Sequence, residues 1–183
     1  MKKRVIQTAM VACAGVLGMG LPATAQATPA TAADSAVITY EKGHVLSCTG
    51  QVGQRSATVE LYDNSLHGSF VNVHVEGPDG EYGGGSTPTR LFDHGSINAK
   101  LSIERLGEEP RAAGTAVIKG LYAPKGKPKP VHDVYEDGGW SIVSEGTQQR
   151  LKSKVIIHVL GKTARLDCTE AFTYDLKVTK TPM

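Results

Sequence analysis

Asp93-His94, His132-Asp133, His74 with Glu76, and His158 are where this sequence could do acid–base or metal chemistry. An imidazole held against a carboxylate can move protons near neutral pH, and two such side chains on one face begin a metal site. Neighbouring residues of a strand point to opposite faces. Neither Asp93-His94 nor His132-Asp133 can therefore form its own dyad in extended chain. A turn frees that geometry, and His94 precedes Gly95-Ser96. His74, Asn72 and Glu76 share one face, but two ligands do not make a metal site, and a solvated face accounts for them. His158 is different. It stands between Ile156 and Leu160 in the most apolar stretch, KVIIHVL, so the expectation is a buried imidazole. Such a group needs a hydrogen-bond partner and titrates below the ordinary value of about 6.5. It is either a core histidine or a pocket residue lining a barrel interior.

The stronger motifs do not occur. There is no GxSxG, no HExxH and no EF-hand loop. Gly161-Lys162-Thr163 ends like a P-loop, but Ile156 stands where the upstream glycine belongs. GEYGGGS (80–86) reads as a mobile loop, with no helix behind it to present an anion-binding N-terminus. PKGKPKP sets Lys125, Lys127 and Lys129 among prolines, which hold a loop extended. Those lysines suit an acidic envelope polymer, or simply a solvated hairpin loop. Trp140, the only tryptophan, joins them as a surface recognition candidate. With one Trp, six Tyr and three Phe in all, the stacking platforms of a carbohydrate module are scarce. The sequence names no catalytic residue, no metal site and no cofactor.

Any site must be carried by strands. ATVELYD (57–63) puts Ala57, Val59 and Leu61 on one face, and FVNVHVE (70–76) does the same with Val71, Val73 and Val75. NAKLSIERL (98–106) offers Leu101 and Ile103; GTAVIKGLY (114–122) and PVHDVYE (130–136) continue the pattern. Asp137-Gly138 is the strongest hairpin signal, and Gly161-Lys162 suits a second tight turn. KVIIHVL (154–160) reads as a central strand covered on both faces. In the last ribbon Phe172, Tyr174, Leu176 and Val178 alternate inward. TQQRLKSK (147–154) is the best helical candidate but suits a strand equally. With 21 glycines and 9 prolines between short strands, the class is all-β: an antiparallel meander forming a closed barrel or a two-sheet sandwich. Residues 36–183 make a single domain, and the stretches 77–95 and 123–130 read as its long recognition loops.

Cys48 and Cys168 sit near the two ends of that domain. Two thiols outside the cytosol read as one disulfide, joining the first strand to the last across a loop of about 120 residues. Their Cα atoms should then lie roughly 4.4–6.8 Å apart. The compartment follows from the start of the chain. Lys2, Lys3 and Arg4 precede an apolar run, and Ala23-Thr24-Ala25 and Ala25-Gln26-Ala27 offer signal-peptidase sites. Residues 1–27 read as a cleaved signal peptide that takes Cys13 with it, leaving no membrane span, and 28–35 as a disordered Ala/Thr/Pro spacer.

Removing Lys2, Lys3 and Arg4 leaves 17 basic residues against 18 acidic. A near-neutral chain lacks the field that attracts nucleic acid. These features point to a secreted bacterial protein, extracellular or envelope-associated: a non-catalytic binding or interaction module for an envelope polymer, a protein or a small ligand. A barrel with a small molecule in its interior, or a hydrolase or isomerase without a familiar motif, is the alternative.

Overall fold

A computed structural model describes residues 35–183. The expected signal peptide (1–27) and nearly all of the expected spacer (28–35) lie outside the described residues. The rest is strand: β1 (Val37–Val52), β2 (Arg55–Asn64), β3 (Gly68–Gly77), β4 (Gly80–Ser86), β5 (Phe92–Asp93), β6 (Ser96–Arg105), β7 (Arg111–Pro124), β8 (Lys129–Asp137), β9 (Trp140–Val159) and β10 (Lys162–Pro182). Every pairing is antiparallel. The order runs β10-β1-β2-β3-β4-β6-β7-β9, and β9 pairs back onto β10. That last pairing closes the ring, so the domain is a barrel rather than a sandwich.

Eight strands enclose just enough space for side chains to fill. Here they fill it with small and medium aliphatics in strict alternation: Val71, Val73 and Val75 from β3, Ile97, Leu101 and Ile103 from β6, Val155, Ile157 and Val159 from β9. Val59, Val73, Ile118 and Ile157 are at most 1% exposed. The barrel interior is a packed core.

β9, β10 and β1 are longer than the barrel needs. β1 pairs with β10 from Val37 but with β2 only from Gly43. β9 pairs with β8 up to Gln148 and with β7 from Leu151. The surplus of these three strands and β8 form a four-stranded extension beyond one mouth of the barrel. A bulge separates its side-chain pattern from that of the barrel. Ser47 faces Glu170, yet the next residue, Cys48, faces Cys168, leaving Thr169 unpaired. An extra residue exchanges the two faces of everything after it. Leu166 therefore points into the barrel, whereas Phe172, Tyr174, Leu176 and Val178 point to its outer side. There Val178 and Ile142 are buried in a small second core, with Ser144 beside them. The expected inward row of the last ribbon therefore faces away from the barrel interior, with Val178 buried in this second core and Phe172, Tyr174 and Leu176 half-buried.

The disulfide is present, between direct cross-strand partners. Its Cα atoms are 3.8 Å apart, closer than expected, because the two residues face each other in adjacent strands beside the bulge. Other expectations need correction. GEYGGGS is not a mobile loop but β4, paired to β3 along its length. Its glycines let strands approach: a Cβ on Gly84 would collide with the Ser102 carbonyl, while Tyr82 faces the core. Most of the supposed 77–95 loop is consequently sheet. TQQRLKSK is strand within β9. The two tight turns are centred one residue from the expected places, at Gly138-Gly139 and at Leu160-Gly161, all four with positive φ.

One prediction follows from closure through the bridge. In the chain-entropy description a loop of 120 residues contributes about 4–5 kcal/mol, against a total of roughly 5–15 for a domain. The Cys48→Ser, Cys168→Ser double variant is expected to melt roughly 10 °C or more below the parent. Equal melting temperatures under non-reducing conditions would show that the strands close the ring unaided.

Candidate binding cleft at the barrel mouth

The sequence-selected histidines are scattered. His158 is on the outer face of β9, exposed, with Nδ1 2.9 Å from Thr163 Oγ1. The expected buried pocket histidine is corrected: KVIIHVL is covered on one face only, with Ile156 44% exposed beside it. Odd-numbered Val155, Ile157 and Val159 face the core, so His158 cannot. His94 caps the β5–β6 turn at φ 44°, with its side chain 98% exposed and 3.7 Å from Asp93 Oδ1. His132 meets Glu145 across the strand pair at 3.2 Å rather than Asp133, its chain neighbour. His74 points outward from β3. No group of three or more His, Cys, Asp or Glu among the described residues is arranged to hold a metal ion.

The histidine that matters structurally is His44. It lies two residues before Leu46 and four before Cys48, on the inward face of β1, at the mouth where the extension begins. Its ring stacks on Phe92 with centroids 4.6 Å apart and 13° between planes. Tyr122 meets both rings edge-on, at 5.2 Å and 5.4 Å. Nδ1 is buried without a hydrogen-bond partner; Asp63 Oδ2 stands 3.5 Å away. Burial holds the imidazole below its ordinary pKa, and the Asp63 carboxylate only partly opposes this. Ser69 Oγ donates to Asp63 Oδ1 at 2.8 Å. A hydroxyl, a carboxylate and an imidazole are thus in line, but with the carboxylate in the middle. Hydroxyl activation needs the imidazole there, so this line does not build a nucleophile.

On the opposite face, a knot of polar groups joins β1, β2 and β10. Asn64, 2% exposed, donates through Nδ2 to Glu41 Oε2 at 2.8 Å and to the Tyr174 hydroxyl at 2.9 Å. Its Oδ1 accepts from the backbone N–H groups of Leu66 and His67 in the β2–β3 turn. The Tyr174 hydroxyl lies 3.2 Å from the Asp63 carbonyl, to which it can donate. Burial is the first cause that raises the Tyr174 pKa, reinforced by Tyr62. Gly43 makes the knot possible, since a Cβ there would run into the Asp63 carbonyl and the Tyr174 hydroxyl.

An open cleft of about 310 Å³ lies at this mouth. His44 and Lys42 line it from β1, Thr147 and Gln149 from β9, Thr173 and Asp175 from β10, and Pro128 from the Pro/Lys loop. The loop is pinned there: Gln149 Nε2 donates to the Gly126 carbonyl at 2.7 Å, and the Lys125 N–H to the Arg150 carbonyl at 2.8 Å. Of the candidate recognition residues, Lys125 and Lys127 are therefore on the loop that borders the cleft, and Lys129 opens β8 directly after it. Trp140 is half-buried at the far end of the extension, opposite Pro182 and Asp137. A hydroxyl- and amide-lined cleft can hydrogen-bond an extended polar ligand. Sequence reading missed His44, although strand parity counted back from Cys48 would have placed it inward.

Two outcomes are expected here. Tyr174→Phe keeps the ring and removes the hydroxyl that Asn64 needs, at an expected cost of about 1–3 kcal/mol in urea unfolding; no loss would make the knot incidental. The His44 pKa is lowered on folding, so the folded state binds fewer protons than the unfolded chain. Its contribution is complete above about pH 6.5 and is lost as pH falls through the folded value. His44→Phe, which preserves the aromatic contact, is expected to lose less stability than the parent between about pH 7 and 5. Parallel pH profiles would exclude His44 as the titrating group.

No protein-family model, no curated protein and no solved structure matches the chain, so its chemistry stands on these residues alone.

Proposed function

We propose that this domain is a non-catalytic binding module that works outside the cell or in the cell envelope. The observation that carries the reading is the pinned Pro/Lys loop bordering the mouth cleft, which brings Pro128 against a lining of Gln149, Thr147, Thr173 and Asp175. Packing supports it. Aliphatic side chains occupy the barrel interior, which leaves recognition to the outer surface, the mouth and the loop. The disulfide supports the compartment, since such bonds persist where the environment is not reducing, and no helix among the described residues is long and apolar enough to cross a membrane. A polar cleft without an activated nucleophile suits holding a ligand rather than cleaving it.

The test is titration of isotope-labelled protein with soluble envelope fragments, glycan and anionic polymer separately, followed by amide chemical shifts. Shifts concentrated at Thr147, Gln149, Thr173 and 125–129, weakened by Gln149→Ala, are expected. Conversion of any fragment during the titration would replace the binding reading with an enzymatic one.

A further inference from the structure

The fold gathers charge that the composition hides. β7, the loop after it, β9 from Arg150, β10 as far as Leu166 and β6 from Ser96 to Ile103 contain no aspartate or glutamate. They form one side of the barrel. Its outer face presents Lys100, Lys119, Lys152, Lys154 and Arg165, with Arg150 continuing the line toward the Pro/Lys loop. Register places them together. Lys119 and Arg165 both flank Ile156, one on either side, and Lys154 stands beside Leu121. All six are exposed, and among the described residues none of the six is in an ion pair. Glu60, Glu76 and Glu81 lie instead on the far side, on β2, β3 and β4. A net charge near zero thus hides a cationic stretch, which Glu104 on β6 and Asp167 on β10 bound at its ends.

We propose that the β6–β7–β9–β10 face, continued by Lys125, Lys127 and Lys129, is the docking surface for a linear polyanion of the cell envelope, a chain of phosphodiester or carboxylate groups. This rests on the binding-module reading and names the partner's chemistry. Alternate residues along β9 are about 6.6 Å apart and adjacent strands about 4.8 Å. Arg150, Lys152 and Lys154 therefore form a row along β9 that starts from a cluster of Lys100, Lys119 and Arg165 across the neighbouring strands and runs onto an extended loop. That shape follows a chain. A membrane surface would call for interfacial aromatic anchors, and this face offers only Leu121 and Ile156 as large exposed apolar side chains.

The experiment uses the full protein, a soluble glycerol-phosphate polymer and poly-L-glutamate, with binding followed across a salt series. Both polymers are expected to bind, with affinity falling steeply as salt rises. Lys119→Gln, Lys152→Gln, Lys154→Gln should weaken binding at least tenfold and reduce the log–log salt slope by about 2, at roughly 0.7 per lost contact as for single strands. The corresponding Lys→Arg triple should retain it, and equal melting temperatures would confirm that each variant folds. Unchanged affinity in the glutamine triple overturns the proposal, as does preference for anionic vesicles over either polymer. Binding of an uncharged glycan at the mouth cleft with no polyanion binding removes this surface and leaves the module reading intact. Cleavage of the bound polymer does the reverse.

Discussion

The pairing of β1 with β10 is the constraint on which everything else depends. Without it the chain is an open meander with two exposed edges; with it the edges cancel and an apolar interior exists. Cys48 and Cys168 fasten that seam from opposite ends of the sequence, at the point where Thr169 is squeezed out of register. One unpaired residue thus does two things. It lets the cysteines meet, and it reverses the faces of β10, so the strand serves the barrel core before the bulge and a separate core after it.

The polar groups at the mouth follow from that reversal. Tyr174 reaches Asn64 and the β2 backbone only because the bulge has turned it outward, and only because Gly43 leaves room for its hydroxyl. On the other face of the same strands, Thr173 and His44 are left to line the cleft. A network of satisfied buried polar groups fixes one geometry where an all-apolar seam would tolerate several. Asp79 plays a similar part at the β3–β4 turn. Hydrogen bonds first from Arg55 and then from Tyr82 hold its carboxylate down to about pH 2.

Much of the barrel was legible as alternation. Val71, Val73, Val75 and Ala57, Val59, Leu61 declare an inner face by themselves, and compartment with count named the disulfide. What alternation could not show was where a register slips. Phe172 to Val178 share parity with Leu166 and Cys168, so the ribbon reads as one inward row until the partner strand is known. Glycine misled for a related reason: in 80–86 it marks close approach between strands, not mobility. His158 is on the outer face because a long apolar run does not by itself imply cover on both faces: Ile156 beside it is also exposed. The cationic face was invisible to net charge, since its residues come from four strands that only the closed ring brings side by side.

The extension reintroduces what the barrel removed. Beyond the mouth, β8 and the first residues of β1 are boundary strands, each with one row of backbone amides and carbonyls unmatched by a neighbouring strand among the described residues. Such rows recruit further strands from other chains. Lys129-Pro130 at the start of β8 and Asp133, Glu136 and Asp137 along it are unfavourable to such recruitment: proline has no amide to offer and the carboxylates of two copies repel. The exposed Val134 and Tyr135 can therefore sit at a sheet boundary without nucleating a fibril.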